Sequence, residues 1–139
     1  MSLSARLAEL HALAFVGAAR WSEAAFAAAL EDKKCFLATD GGTEGASPIG
    51  FALGRAVADE AELLTLVVHP DHRRTGLGRD LLFAFELNAR KRGAAAAFLE
   101  VSADNAAARA LYERSGWRMV GQRSGYYDGI DAIAMRKDL

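Results

Sequence analysis

Apolar residues recur at helical spacing at the start of the chain and then switch to strand-like runs. Leu7, Leu10, Leu13 and Ala14 predict a helix over residues 4–16, followed by Gly17. Ser22 and Glu23 open a second helix with Phe26 and Leu30 on one face. Residues 34–39 read as a strand, Asp40-Gly41-Gly42 as a turn, and the loop continues to about Ser47. Ile49 to Val57 is a second strand, in which Gly50 and Gly54 mark bulges or close approaches. Ala58-Asp59-Glu60 turns the chain into Leu63 to Val68, a nearly continuous apolar run of the kind found in central strands. A third helical stripe follows in Leu77, Leu81, Leu82, Phe85 and Ala89, with Arg79, Asp80, Glu86 and Arg90 off it and Gly93 as its stop. Ala96 to Val101 is a strand, and Asp104 or Asn105 caps a helix that runs to Arg114 and ends at Gly116. Trp117 to Tyr127 and Ile130 to Arg136 form a hairpin around Asp128-Gly129. The order predicts one mixed α/β domain: two helices, a three-stranded meander, helix, strand, helix, hairpin.

Within this pattern the segment from Val67 to Arg79 carries the chemistry. A buried strand ends in His69-Pro70, and the next helix begins with Gly76-Leu77-Gly78. Glycines there let a ligand approach the backbone and leave free N–H groups pointing outward. A helix start flanked by Arg73, Arg74 and Arg79 suits a pyrophosphate, although a plain turn into a helix with solvated arginines has the same composition. A Walker loop is excluded, because Arg79-Asp80 stands where Lys-Ser/Thr is required. A dinucleotide site lacks its third glycine, although Glu100 stands about 20 residues on, where that fold places an acidic residue.

Composition narrows the class. At 139 residues the chain is the size of one domain, and about half its residues are apolar with a net charge of −1. No basic excess points to nucleic acid. The alanine runs are too short for a membrane span. Arg6 and Glu9 interrupt the N-terminal apolar region, against a signal peptide. Cys35 is the only cysteine, read as a buried structural thiol in a reducing, cytoplasmic setting. The three histidines are too scattered for a metal, so none is expected.

Arg73-x-x-Gly76-x-Gly78 after a strand ending in His-Pro resembles the coenzyme A motif of the GNAT acetyltransferases. The resemblance continues through Phe98-Leu99-Glu100-Val101-Ser102-Ala103-Asp104-Asn105 and Ala110-Leu111-Tyr112-Glu113-Arg114-Ser115-Gly116-Trp117. It ends in Tyr126-Tyr127 and Asp131 to Met135, with Trp21-Ser22-Glu23 as a patch in the first half. Within the family the combination is most similar to the RimI branch, which acetylates protein N-termini.

The resemblance implies the GNAT fold, a mixed central sheet flanked by helices, with the usual first edge strand short or missing here. It implies acetyl-CoA as co-substrate, cradled by Arg73, Arg74, Thr75, Gly76, Leu77, Gly78 and Arg79, with Asn105 as a further contact. Strand Leu66-Val67-Val68 would splay from its neighbour and pair with the pantetheine arm, the Val68 N–H facing the acetyl carbonyl. Glu100 is the expected base, with a pKa raised beside the cleft, and Tyr112 the expected acid for the thiolate. A solvated strand-end glutamate and a core tyrosine are the alternatives for these two. Tyr126 and Tyr127 line the acceptor side or fill the hairpin.

Two features depart from the branch: Ser102 where arginine is usual, and a short Tyr127-to-Ile130 turn. The resemblance implies acetylation of a protein N-terminal amine, the alanine of a ribosomal protein. A small amine or a lysine is the alternative acceptor, and a non-catalytic acyl-CoA module the rival class. A monomer or weak dimer is expected.

Overall fold

The computed structural model describes residues 1–15, 20–40 and 47–139. Helices α1 (Leu3–Ala14) and α2 (Glu23–Glu31) come first, capped by the Ser2 and Ser22 hydroxyls. Strands β1 (Cys35–Thr39), β2 (Gly50–Val57) and β3 (Glu60–Val68) then form an antiparallel meander. A 3-10 turn at Pro70–His72 leads into α3 (Leu77–Lys91), followed by β4 (Ala96–Ser102) and α4 (Ala106–Arg114). The hairpin β5 (Arg118–Tyr127) and β6 (Ile130–Asp138) closes the chain. The six strands form one sheet in the order β1-β2-β3-β4-β6-β5. Among the described residues no strand precedes α1, and β1 is one edge of the sheet, β5 the other. The end of the first predicted helix and Gly17 lie outside the described residues, as does most of the predicted loop from Gly41 to Ser47.

Elements start and stop close to where the pattern puts them, with informative exceptions. β3 begins at Glu60 rather than Leu63, because the turn needs only Ala58 and Asp59, Ala58 taking φ +55°. Gly50 and Gly54 are close approaches: a Cβ on Gly54 would lie 2.5 Å from the Phe85 ring, and one on Gly50 2.9 Å from Leu81 Cδ1. The bulge lies opposite Gly54. Leu53 pairs with Thr65 and Gly54 with Leu63, which leaves Leu64 as the extra residue. This resets which way β3 faces. Ala61, Leu63, Leu66 and Val68 belong with the α3 core, whereas Leu64 and Val67 join the core under α1 and α2. Cys35 is only half-buried rather than fully enclosed, since it sits on the edge strand.

Each face of the sheet has its own core. Leu81, Leu82, Phe85 and Ala89 of α3 pack with Leu99, Val101, Tyr112, Trp117, Ile133 and Met135 on one side. Leu7, Leu10, Phe26, Phe51, Leu53 and Val67 pack on the other. Burying side chains of this size contributes about 1.5–3 kcal/mol each.

Among the described residues three buried polar side chains, Glu86, His11 and Thr65, lie within these layers, and none was legible in the pattern. Glu86, expected off the apolar stripe, is buried and accepts Lys137 Nζ at 2.6 Å and Trp117 Nε1 at 3.4 Å. Lys137 also donates to the Ser115 carbonyl at 2.7 Å, which ties α3, α4 and β6 together. His11 of α1 accepts the Trp21 N–H at Nδ1 (3.2 Å) and so carries its proton on Nε2, which donates to Thr65 Oγ1 at 3.0 Å. Burial, then the charge of Arg20, hold its pKa down from 6.5 to about 4.

Lys137→Met leaves the Glu86 carboxylate buried without its cation and should cost about 3 kcal/mol, most of it recovered in the Glu86→Leu/Lys137→Met double variant. Urea unfolding midpoints of the three proteins check this; equal loss in the single and double variants would refute it. For His11 the unfolded chain binds a proton between pH 6.5 and about 4 that the folded chain does not. Stability therefore falls with pH through that window, by about 2 kcal/mol between pH 7.5 and 5. The wild-type unfolding free energy should drop across that interval by this much more than that of His11→Gln, and parallel curves would disprove the assignment.

Candidate active site

β3 and β4 run parallel and are joined by only three residue pairs: Glu60 with Ala96, Ala61 with Ala97 and Glu62 with Phe98. Beyond these each strand follows its other neighbour. β3 stays on β2 as far as Val68, and β4 stays on β6 as far as Ser102. The sheet therefore opens into a gap. The direction of the β3 amides follows from the β2 register. His69 N–H donates to the Ile49 carbonyl at 2.7 Å, and in an antiparallel ladder backbone groups alternate sides. Val67 is thus bonded toward β2, and Leu66 and Val68 turn their main-chain groups into the gap.

The glycine turn stands at the mouth of this gap. Gly76 is the α3 N-cap with φ +86° and no side-chain cap, so the first amides of the helix lack an intramolecular side-chain acceptor. Arg74 also takes positive φ, +63°, and Thr75 Oγ1 donates to the His72 carbonyl at 2.8 Å. A Cβ on Gly78 would lie 3.4 Å from Leu111 Cδ2 and 3.7 Å from Val68 Cγ2. The helix start is therefore packed directly against the end of β3 and against α4. Arg73, Arg74 and Thr75 are exposed, and Leu77 lies partly buried beside them.

Glu100 and Tyr112 sit on opposite faces of β4. Leu99 and Val101 point into the α3 core with Tyr112, and Glu100 alternates to the other face. Tyr112 is buried, and burial, then the nearby Tyr127, push its pKa upward. Asn105 caps α4, its Oδ1 accepting the Ala108 N–H at 3.2 Å.

The expectation of a desolvated Glu100 is not met. The residue is exposed, and both of its oxygens are taken by Arg123 of β5: Nε reaches Oε2 at 2.9 Å and Nη2 bonds Oε1. What pattern reading missed is Arg123 itself, since a lone arginine in a polar strand carries no signal in sequence. Tyr127 is partly buried against this pair, its pKa raised by burial, then by Glu100 and Tyr126. Tyr126 is exposed and packs on Tyr127 at 4.9 Å. The described residues contain no cluster of three or more His, Cys, Asp or Glu placed to hold a metal, and no helix long and apolar enough to cross a membrane.

Residues 5–117 match the acetyltransferase (GNAT) family model. The chain belongs to the GNAT family. It is an N-acetyltransferase, and GNAT acetyltransferases draw on acetyl-CoA. The ribosomal protein bS18-alanine N-acetyltransferase of Escherichia coli K12 is 42% identical over 112 residues, 80% of this chain and 73% of that protein. The N-alpha-acetyltransferase RimI of Mycobacterium tuberculosis is 40% identical over 139 residues, covering 96% of this chain and 85% of the relative. The crystal structure of the E. coli ribosomal-protein-S18-alanine N-acetyltransferase superposes with a TM-score of 0.80 at 37% identity, over 99% of this chain and 90% of that one. Ard1 of Thermoplasma volcanium, at 23% identity, shares the fold with a TM-score of 0.84 over 100% and 94% of the two chains.

The RimI-like GNAT fold expected from the sequence is thus present, with the opening between β3 and β4 as its central feature. Gly76→Ala places a Cβ at positive φ and should cost about 1–2 kcal/mol. It should also weaken acetyl-CoA binding measured by calorimetry. Unchanged affinity would mean that this turn does not hold the cofactor.

Proposed function

We propose that this acetyltransferase transfers the acetyl group to a protein N-terminal α-amine, the alanine of a ribosomal S18 protein being the leading acceptor. The observation that carries the mechanism is the gap itself, with the main-chain groups of Leu66 and Val68 facing it and Glu100 on β4 just beyond the last β3–β4 pair. The relatives named above, two of them bS18- or S18-alanine acetyltransferases, support the acceptor.

In this reading Arg73 to Arg79 cradle the pyrophosphate through the α3 amides, with Gly76 and Gly78 allowing close approach. The Val68 side chain lies against Gly78, at the pyrophosphate end. The Leu66 N–H, deeper in the gap, is therefore better placed than that of Val68 to meet the acetyl carbonyl. One such donor is worth about 2.7–4 kcal/mol in the transition state. Val67 contributes packing from the opposite face, its backbone being engaged by β2. Asn105 orients α4 through its cap, and the family resemblance makes it a further cofactor contact.

Glu100 takes a proton from the acceptor ammonium, on the face away from the α3 core. The freed nitrogen forms the C–N bond as the C–S bond breaks, and it releases its second proton to solvent to become the amide. Tyr112, which burial keeps protonated, gives its hydroxyl proton to the departing thiolate on the other face and is reprotonated from solvent. An α-amine has a pKa of about 7.7–8.0 against about 10.4 for lysine, so an exposed carboxylate suffices for the first far more readily. The two-residue turn at Asp128-Gly129 leaves the acceptor side short of the peptide-facing wall expected of this branch. That single feature favours a small amine as the second reading.

The test is intact-mass analysis after incubation with acetyl-CoA and an alanine-started peptide containing one internal lysine. One acetyl on the α-amine is expected, with turnover reduced roughly 10²–10⁴-fold in Glu100→Gln or Tyr112→Phe. A protein that binds acetyl-CoA and leaves the peptide unmodified would redirect the assignment to a small amine.

A further inference from the structure

We infer that Arg123 is a positioning residue for acetyl transfer, clamping the Glu100 carboxylate to the β5–β6 hairpin in a single orientation at the acceptor side of the gap. This rests on the reading of Glu100 as the base.

Glu100 and Arg123 do not lie on adjacent strands. β6 runs between β4 and β5, with Ala134 opposite Glu100 and Ala132 opposite Arg123. The ion pair spans β6, and it does so because the residues beneath it are alanines, too small to fill the space above the strand. The guanidinium meets the carboxylate as a fork, Nε to Oε2 at 2.9 Å and Nη2 to Oε1, so the carboxylate plane is fixed as well as its position. A lysine in its place would supply the charge without the plane.

The clamp is itself held from behind. Arg123 Cζ lies 3.8 Å from the Tyr126 ring centroid, and Tyr126 packs edge-on against Tyr127. Asp131 accepts the Gly125 N–H at 2.9 Å and the Gln122 side-chain amide. These bonds fix the strand on either side of Arg123, and they hold the Asp131 carboxyl below its usual pKa, the Gly125 bond first. The guanidinium pKa is raised, chiefly by its hydrogen bond to Glu100. The other titratable groups facing this pair are Glu62 on β3 and Tyr126 and Tyr127 on β5.

The consequence is kinetic. A carboxylate fixed in plane presents one lone pair to the incoming ammonium, which is worth most in the transition state.

The experiment is a kcat and KM series with acetyl-CoA and the alanine-started peptide, for the wild type, Arg123→Gln, Arg123→Lys, Glu100→Gln and Arg123→Gln/Glu100→Gln. Arg123→Gln should lower kcat about tenfold or more and leave the KM for acetyl-CoA unchanged. Arg123→Lys, which keeps the charge and loses the fork, should not restore kcat. In the Glu100→Gln background, removal of Arg123 should have no further effect. Wild-type turnover in Arg123→Gln, or the same loss with and without Glu100, would overturn the positioning role while leaving the base intact. Full activity in Glu100→Gln would overturn the base reading and this inference together.

Discussion

Everything in this molecule that bears on acetyl transfer depends on β3 and β4 staying paired for only three residues. Each strand is bound over its whole length to a different neighbour, β3 to β2 and β4 to β6. The two half-sheets twist apart as sheets do, and nothing between the diverging ends pulls them back. The cost of such an opening is main-chain groups without partners in the interior of a sheet. A chain-like ligand with amide groups of its own, such as the pantetheine arm of acetyl-CoA, is the natural complement.

The surrounding elements make the opening rigid. The extra residue at Leu64 turns the second half of β3 so that Leu66 and Val68 stay with the α3 core and Val67 joins the α1–α2 core. His11 fixes α1 to the same strand through Thr65. On the far side, Glu86 and Lys137 join α3 to β6 and to the turn after α4. The glycine turn is thereby held at the end of β3, at a place set by packing rather than by the turn's own preferences. A site whose function is to hold a flexible cofactor in one pose benefits from such preorganisation.

The acceptor side is built on different principles. There the face of β4, β6 and β5 carries charges and alanines rather than a helix-covered core. Arg123 reaches over Ala132 and Ala134 to Glu100, and the tyrosines of the hairpin back the guanidinium. The proposed acid and base are separated by the strand between them, Tyr112 in the apolar layer and Glu100 in the wet one. The phenol keeps its proton because it is buried, and the carboxylate is ordered because it is paired.

Much of this was legible in the chain. Helical stripes, capping serines, the Asn105 cap and the Asp128-Gly129 turn are local, and their signals lie within a few residues of one another. The Arg73-to-Gly78 spacing and the settings of Glu100 and Tyr112 were enough to indicate the family. What the sequence could not settle was every relation between residues far apart in the chain. The insertion of β6 between β4 and β5, the bulge at Leu64, and the burial of Glu86 and His11 all depend on which strands and helices meet. So does the change in Glu100 from an expected desolvated carboxylate to an exposed one held by a partner 23 residues away. Hydrophobic periodicity records which face of an element is buried; it carries no record of what lies across that face, and charge pairs are decided there.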